Sequence, residues 1–214
     1  MDWTQTIDAY CERTDPCLWA EPINALTNLA FIIAALIMWR RSFGAGRLLA
    51  VILFAIGIGS GLFHTHATAW AAASDTAPII AFALLYIYMA NRDFHGWPIW
   101  ASAVGAAAYI PFTAALTPVF ASIPFIGISS FYWPLPLLIF AYAIWLRRYS
   151  ILSRNLAIGA ALLCLSLTFR SLDELLCAQV PIGTHFLWHI LNAIMLAWMI
   201  ETWTRFKRQP DAPR

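Results

Sequence analysis

The longest uncharged stretch of the chain runs from Gly96 to Trp145 and contains no Asp, Glu, Lys, Arg or His. It is too long for one membrane helix of about 20 residues, but it suits two helices joined by a hairpin, which we place at Pro118 and Pro124. The whole chain is 61% hydrophobic and 11% charged, which leaves too little polar surface for a soluble domain. The sequence therefore predicts an integral membrane protein.

Further apolar runs extend this prediction to seven transmembrane helices in one all-α bundle. The runs lack the alternating pattern of barrel strands, so helices are the expected way to satisfy the backbone in lipid. The predicted spans lie near residues 23–40, 47–64, 70–91, 97–116, 125–146, 153–170 and 182–202. We expect an acidic extracytoplasmic N-terminal segment at 1–22, the transmembrane domain at 23–202 and a basic tail at 203–214.

The basic residues set the expected orientation of the bundle. Every Lys and Arg other than Arg13 and Arg170 falls on the side of the C-terminus. Because basic loops stay in the cytoplasm, this distribution predicts an outer N-terminus and a cytoplasmic C-terminus. The net charge of +2 and the short basic clusters give no sign of nucleic-acid binding. The oligomeric state does not follow from the sequence.

Three short motifs place ionisable residues at the ends of predicted spans. GIGSGLFH ends the second span, and its Ser60 and His64 are four residues apart on one helical face. Asp75 follows eleven residues later, at the start of the third span. HFLWH opens the seventh span, with His185 and His189 one turn apart, a spacing that suits two ligands of one metal. Ionisable groups within spans are costly, so each is a candidate functional residue.

The predicted topology brings these motifs to the outer half of the bundle. The second span ends outside at His64, while the third and seventh spans begin outside with Asp75 and the histidine pair. Three histidines leave a fourth position open on zinc, the pattern of catalytic zinc sites, and zinc-bound water becomes a nucleophile near neutral pH. Each residue also has a structural alternative: Ser60 as a small packing residue, Asp75 as a helix N-cap, and a lone histidine as an interfacial residue. His66 is expected to lie in the loop beyond the helix.

GIGSGLFH, the aspartate eleven residues on and HFLWH together resemble the alkaline ceramidase family. That family belongs to a superfamily of seven-helix membrane hydrolases that also includes the progestin and adipoQ receptors. The resemblance extends from EPINALTN to the last helix. It implies that His64, His185 and His189 bind zinc. It also implies that Asp75 handles the proton of the attacking water and that Ser60 helps to stabilise the oxyanion.

The implied reaction is cleavage of the N-acyl amide bond of ceramide or a ceramide-like lipid, which releases a fatty acid and a long-chain amine such as a sphingoid base. The substrate would be a membrane lipid whose tail stays in the apolar part of the bundle. The compact size favours a bacterial inner-membrane protein with its active site toward the extracytoplasmic side. The natural lipid and its chain length do not follow from the sequence.

The resemblance further implies a calcium site in the acidic N-terminal segment. Glu12, Glu21 and Asp8 or Asp15 would supply the oxygen ligands that calcium prefers. The segment aligns at Glu21 and Asn24 but needs a gap before Glu12. A solvated acidic tail is the alternative.

The resemblance also implies a disulfide bond. Cys11 and Cys17 lie in the outer N-terminal segment, Cys177 lies in the outer loop before the seventh span, and Cys164 lies within the sixth span. An oxidising outer compartment permits a bridge. The resemblance favours Cys11 with Cys177, which would leave Cys17 unpaired.

Charged residues also mark the outer end of the sixth span. The motif FRSLDELL carries Arg170, Asp173 and Glu174. We expect a local salt bridge among them, with support of the zinc ligands as the alternative.

Other classes of function are possible for the same motifs. A lipid-binding, receptor-like membrane protein with a non-catalytic metal site belongs to the same superfamily and would bind lipid without turnover. A small transporter is disfavoured because the sequence shows no repeated halves. An intramembrane serine protease that uses Ser60 needs only one histidine, whereas three fall on the same side.

Overall fold

The computed structural model describes residues 2–209, and its regular structure is helical. The described helices are α1 Pro22–Thr27, α2 Leu29–Arg41, α3 Ala45–His66, α4 Ala69–Asp93, α5 Ile99–Ala107, α6 Tyr109–Ala121, α7 Pro134–Trp145, α8 Ser150–Leu172 and α9 His185–Lys207. Two short 3-10 turns lie at Gly127–Ser129 and Glu174–Leu176. One isolated antiparallel bridge joins Thr6 to Thr68.

Five helical stretches are long and apolar enough to cross a membrane. They are Pro22–Arg41, Ala45–His66, Ala69–Asp93, Ile99–Ala121 and Ser150–Leu172. Large apolar side chains are widely exposed, and Trp100 has 71% of its surface accessible. Such a surface would be unfavourable in water but is the natural one in lipid. The chain is therefore a helical membrane protein, as its composition predicted.

Several helix boundaries differ from the sequence prediction. The first predicted span is divided at Asn28, between α1 and α2. Pro118, which we placed in a hairpin, lies inside α6; an apolar environment tolerates such an interior proline. His66 was predicted in a loop but is the last residue of α3. Only Pro134–Trp145 of the fifth predicted span is α-helical, because proline favours the first position of a helix.

The last helix begins at His185 rather than near residue 182. Gly183 takes a left-handed backbone conformation with φ of +66°, and a Cβ there would lie 2.1 Å from Asp173 Oδ1. The turn before α9 therefore needs glycine at this position. α9 continues to Lys207, so the predicted basic tail is helical at its start, and residues 210–214 lie outside the described part.

Helix α9 lies at the centre of the bundle, where it packs against α2, α3 and α8. α3 packs against α4, and their closest approach is at Gly59, where a Cβ would lie 2.0 Å from the Ser74 carbonyl oxygen. This contact makes Ser60 and Asp75 neighbours. The end of α3, the first turns of α4 and the start of α9 thus meet at one end of the bundle.

Ion pairs lie at the opposite end of the bundle. Glu201 pairs with Arg41 at 2.9 Å and with Arg205 at 2.7 Å. Lys207 pairs with Asp93 at 2.9 Å. Exposed pairs of this kind contribute about 0–1 kcal/mol each, so apolar packing, rather than these pairs, holds the helices together.

Candidate metal centre

Three histidines form a compact buried cluster. His64 comes from the last turn of α3, while His185 and His189 come from the first two turns of α9. Each is 1% exposed. One ring nitrogen from each lies within 4.8 Å of the others. Among the histidine, cysteine and acidic side chains of residues 2–209, these three histidines form a group whose geometry can hold a metal ion.

The hydrogen bond of His64 fixes which of its nitrogens carries the proton. His64 Nδ1 lies 2.6 Å from Glu21 Oε2, and Arg13 Nε donates to Glu21 Oε1 at 2.6 Å. Burial alone would raise the pKa of the Glu21 carboxyl, but its hydrogen bonds to His64 and Arg13 outweigh burial and hold that pKa below its usual value. A carboxylate only accepts, so His64 Nδ1 donates, and in the neutral ring Nε2 carries the lone pair.

His189 has the same tautomer for a different reason. Its Nδ1 lies 2.9 Å from Thr27 Oγ1. The single hydrogen of that hydroxyl points to the main-chain carbonyls of Ile23 and Asn24, at 2.8 and 3.1 Å. Thr27 therefore accepts a hydrogen bond from His189 Nδ1, and Nε2 of His189 is left unprotonated.

These two assignments bring two lone pairs face to face. Nε2 of His189 lies 3.1 Å from Nε2 of His64, an arrangement that is repulsive unless a cation or proton lies between them. Two nitrogens bound to zinc at about 2.0–2.1 Å in a tetrahedral site lie about 3.3 Å apart. His185 Nδ1 is buried without a hydrogen-bond partner among the described residues. A set of three neutral imidazoles thus fits zinc.

Asp75 and Ser60 lie beside this cluster. Helix α4 begins at Ala69, so Asp75 is in its second turn, and the N-cap alternative is wrong. The Asp75 carboxylate interacts with the Ser60 hydroxyl and with His64. Ser60 is buried, whereas Asp75 is only partly buried. A carboxyl group and a hydroxyl group therefore flank the histidines from α4 and α3.

Tyr10 is a member of the site that the sequence analysis missed. Its ring stacks on the His185 ring, with centroids 3.7 Å apart. Arg170 Nη2 donates to its hydroxyl at 3.4 Å, and Arg170 Nη1 donates to Ile128 O and Ser129 Oγ at 3.1 and 3.0 Å. Burial raises the pKa of Tyr10 well above its usual value, so the phenol stays neutral.

Asp173 organises the start of α9 instead of pairing with Arg170. Its Oδ1 accepts the main-chain N–H groups of Thr184 at 2.6 Å and His185 at 2.8 Å. Its Oδ2 accepts the N–H of Cys11 at 3.0 Å. The predicted local salt bridge is wrong because these buried amides, at the positive end of a helix dipole, are better partners for the carboxylate.

The disulfide lies at the same end of the bundle. Cys11 is bonded to Cys177, with Cα atoms 5.4 Å apart. Within the described residues Cys17 and Cys164 are free. The bridge joins the N-terminal segment to the loop before α9, so it fixes Tyr10 and Asp173 beside His185.

A comparison with protein families agrees with this geometry. The model of the Ceramidase family matches residues 4–212, nearly the whole chain. The chain belongs to the ceramidase family. It is therefore a hydrolase that acts on amide bonds, and ceramide is the substrate class of the family. A comparison with curated proteins gives no match.

The residues that the ceramidase resemblance assigned to calcium do not form an oxygen cage. Glu12 is buried, and its two oxygens accept the main-chain N–H groups of Ile23 and Asn24 at 2.7 and 2.8 Å. The Glu21 carboxylate is bound by Arg13 and His64. Asp8 is exposed. The contacts of these residues therefore give no support for calcium.

An apolar cavity lies in the ceramidase bundle, next to the turn of α9 that carries His189. It is a partly open cavity of about 60 Å³ between α4, α7, α8 and α9. Its wall includes Trp188 and Asn192, beside His189, and it follows α4 from Ile79 to Ala90. At 1.5 Å per residue, that wall is about 16 Å long. A long apolar pocket thus lies next to the candidate metal centre.

Proposed function

We propose that this chain is a zinc-dependent amidohydrolase that cleaves the N-acyl amide bond of ceramide or a ceramide-like lipid at the membrane. The observation that carries the proposal is the 3.1 Å approach of Nε2 of His64 to Nε2 of His189, with the His185 ring beside them. When bound, zinc supplies a Lewis acid that polarises the amide carbonyl and makes water more acidic. The chain's own residues supply the rest.

The histidine rings are held in position before any metal arrives. Glu21 fixes the orientation of His64, and Thr27 fixes that of His189. Partners of this kind set the tautomer of a ligand and raise its basicity. The three histidines then bind zinc with little rearrangement.

Asp75 and Ser60 have the proton-transfer and oxyanion roles. The Asp75 carboxylate takes a proton from the attacking water and passes it to the nitrogen of the leaving amine. The Ser60 hydroxyl donates a hydrogen bond to the developing oxyanion. Cleavage of the amide C–N bond then gives a fatty acid and a long-chain amine.

The apolar cavity supports a lipid as the substrate. Its lining is almost entirely aliphatic and aromatic, so it binds a hydrocarbon chain by excluding water. Trp188 and Asn192, on either side of His189 in α9, line the cavity. A hydrocarbon chain that fills it up to these residues therefore places its polar amide near the histidines. A soluble amide would gain nothing from this pocket.

The membrane topology proposed here has seven spans. Five of them are the long apolar stretches, and the other two are Pro134–Trp145 and His185–Lys207. The Cys11–Cys177 bridge supports an oxidising compartment at the histidine end. The basic residues at the opposite end support a cytoplasmic C-terminus. The active site then faces the extracytoplasmic side, and a bacterial inner membrane agrees with this arrangement.

The test is release of fatty acid from ceramide-like lipids by the zinc-loaded, detergent-purified protein. We expect turnover by the unaltered protein and none by His189→Ala. His66→Ala is the matched control, because His66 is exposed at the end of α3 and should keep the full rate. Lipid binding without turnover in the unaltered protein would contradict the enzyme and support the receptor-like alternative.

A further inference from the structure

We propose that Arg13 is a built-in cation that positions the zinc ligand His64, at the place where a calcium ion was expected. The inference rests on the proposed zinc site. Arg13 is 7% exposed and lies between the N-terminal segment and the end of α3. It joins the two through hydrogen bonds at each of its three nitrogen atoms.

The acceptors around Arg13 are all oxygen atoms. Arg13 Nε donates to Glu21 Oε1 at 2.6 Å. Nη1 donates to the main-chain carbonyls of Asp15 and Cys17 at 3.4 and 3.3 Å, and Nη2 donates to the His64 carbonyl at 3.2 Å. A carboxylate with several carbonyls is the donor set that calcium prefers. Here the planar guanidinium satisfies these oxygens with N–H groups.

Arg13 acts on His64 in two ways. First, it fixes the carboxylate of Glu21, and the other oxygen of that carboxylate contacts His64 Nδ1 at 2.6 Å. Through Nη2, it satisfies a carbonyl in the last turn of α3, where no further helical N–H group is present. A cation near a helix C-terminus is also favourable to the helix dipole. The side chain and the main chain of one zinc ligand thus depend on the same guanidinium.

The same contacts leave no place for calcium. A divalent cation near Glu21 would lie beside the positively charged Arg13 guanidinium, and the two cations would repel each other. Both oxygens of Glu12 already accept main-chain N–H groups of α1. We therefore expect the stability of this chain to be independent of calcium.

The experiment measures zinc retention and thermal unfolding of the detergent-purified full chain in calcium-free buffer that contains zinc. Arg13→Met removes the charge and the donors, and we expect about 10- to 100-fold weaker retention of zinc against a chelator. Arg13→Lys keeps the charge but lacks the planar fork, so we expect an intermediate loss. Arg205→Met, at the exposed opposite end, is the matched control and should retain zinc fully.

A second measurement needs no variant. Calcium added to the unaltered protein should leave its melting temperature unchanged, whereas a rise with calcium would overturn the inference. Full zinc retention by Arg13→Met would also overturn it. If Arg13→Met does not fold, Arg13→Lys and the calcium titration decide. Failure of the unaltered protein to bind zinc would instead contradict the proposed function.

Discussion

Replacing Asp75 by asparagine should lower the rate of lipid amide hydrolysis by about 10²- to 10⁴-fold, the usual contribution of a positioned general base. The asparagine amide is nearly isosteric but cannot take a proton from water. The zinc content should not change, because the metal set consists of three histidines. Initial rates and zinc per chain, measured on the same preparation, check both statements.

Asp93→Asn is the matched control for this prediction. Asp93 ends the same helix, α4, at the opposite end of the bundle, where it accepts from Lys207 and Trp203. Its replacement should leave the rate near that of the unaltered protein. A rate for Asp75→Asn within about tenfold of the unaltered protein would contradict the role of Asp75 as the base. Loss of zinc in this variant would show that Asp75 is a ligand instead.

Replacing Glu21 by alanine should lower the free energy of unfolding by about 3–5 kcal/mol, the usual effect of breaking a buried ion pair. The Glu21 side chain is 3% exposed and contacts both Arg13 and His64. Without it, the guanidinium loses its carboxylate and His64 Nδ1 loses its acceptor. Thermal or denaturant unfolding in detergent measures the change.

Glu201→Ala provides the comparison for Glu21→Ala. Glu201 also pairs with two basic residues, Arg41 and Arg205, but both of these are largely exposed. Its loss should cost about 1 kcal/mol or less. Equal effects of the two substitutions would mean that the Glu21 cluster has no special importance, and the account of how His64 is oriented would be wrong.

The fold class and the histidine site were predictable because they depend on local patterns. Long apolar runs can only be helices in lipid. The spacing of four residues in HFLWH puts His185 and His189 on one helical face. The predicted even number of spans between the second and seventh spans puts His64 on the same side of the membrane. None of these inferences depends on knowing which distant residues are in contact.

The contributions of Tyr10, Arg13 and Asp173 could not be predicted in the same way. Each depends on contacts between the N-terminal segment and elements far along the chain, such as Cys11 with Asp173 across 162 positions. The sequence placed Arg170 near Asp173 and so predicted a pair between them. It contained no sign that three main-chain N–H groups would occupy that carboxylate.

The calcium site stays a prediction that the described contacts do not support. A glutamate that caps a helix and a glutamate that binds a metal look alike in sequence. Glu12 binds the main chain of α1, and Glu21 binds Arg13.

Hydropathy has a similar limit in the long uncharged stretch. It does not separate an apolar helix from an apolar connection, so the hairpin was placed at Pro118, within α6.

The most direct test of this account is the zinc content per chain of the detergent-purified protein, compared with a folded His185→Ala, His189→Ala double variant. We expect about one zinc per chain in the unaltered protein and almost none in the variant. Full zinc in the variant would place the metal elsewhere. No zinc in the unaltered protein, after purification free of chelator, would contradict the proposed metal centre and the hydrolytic mechanism built on it.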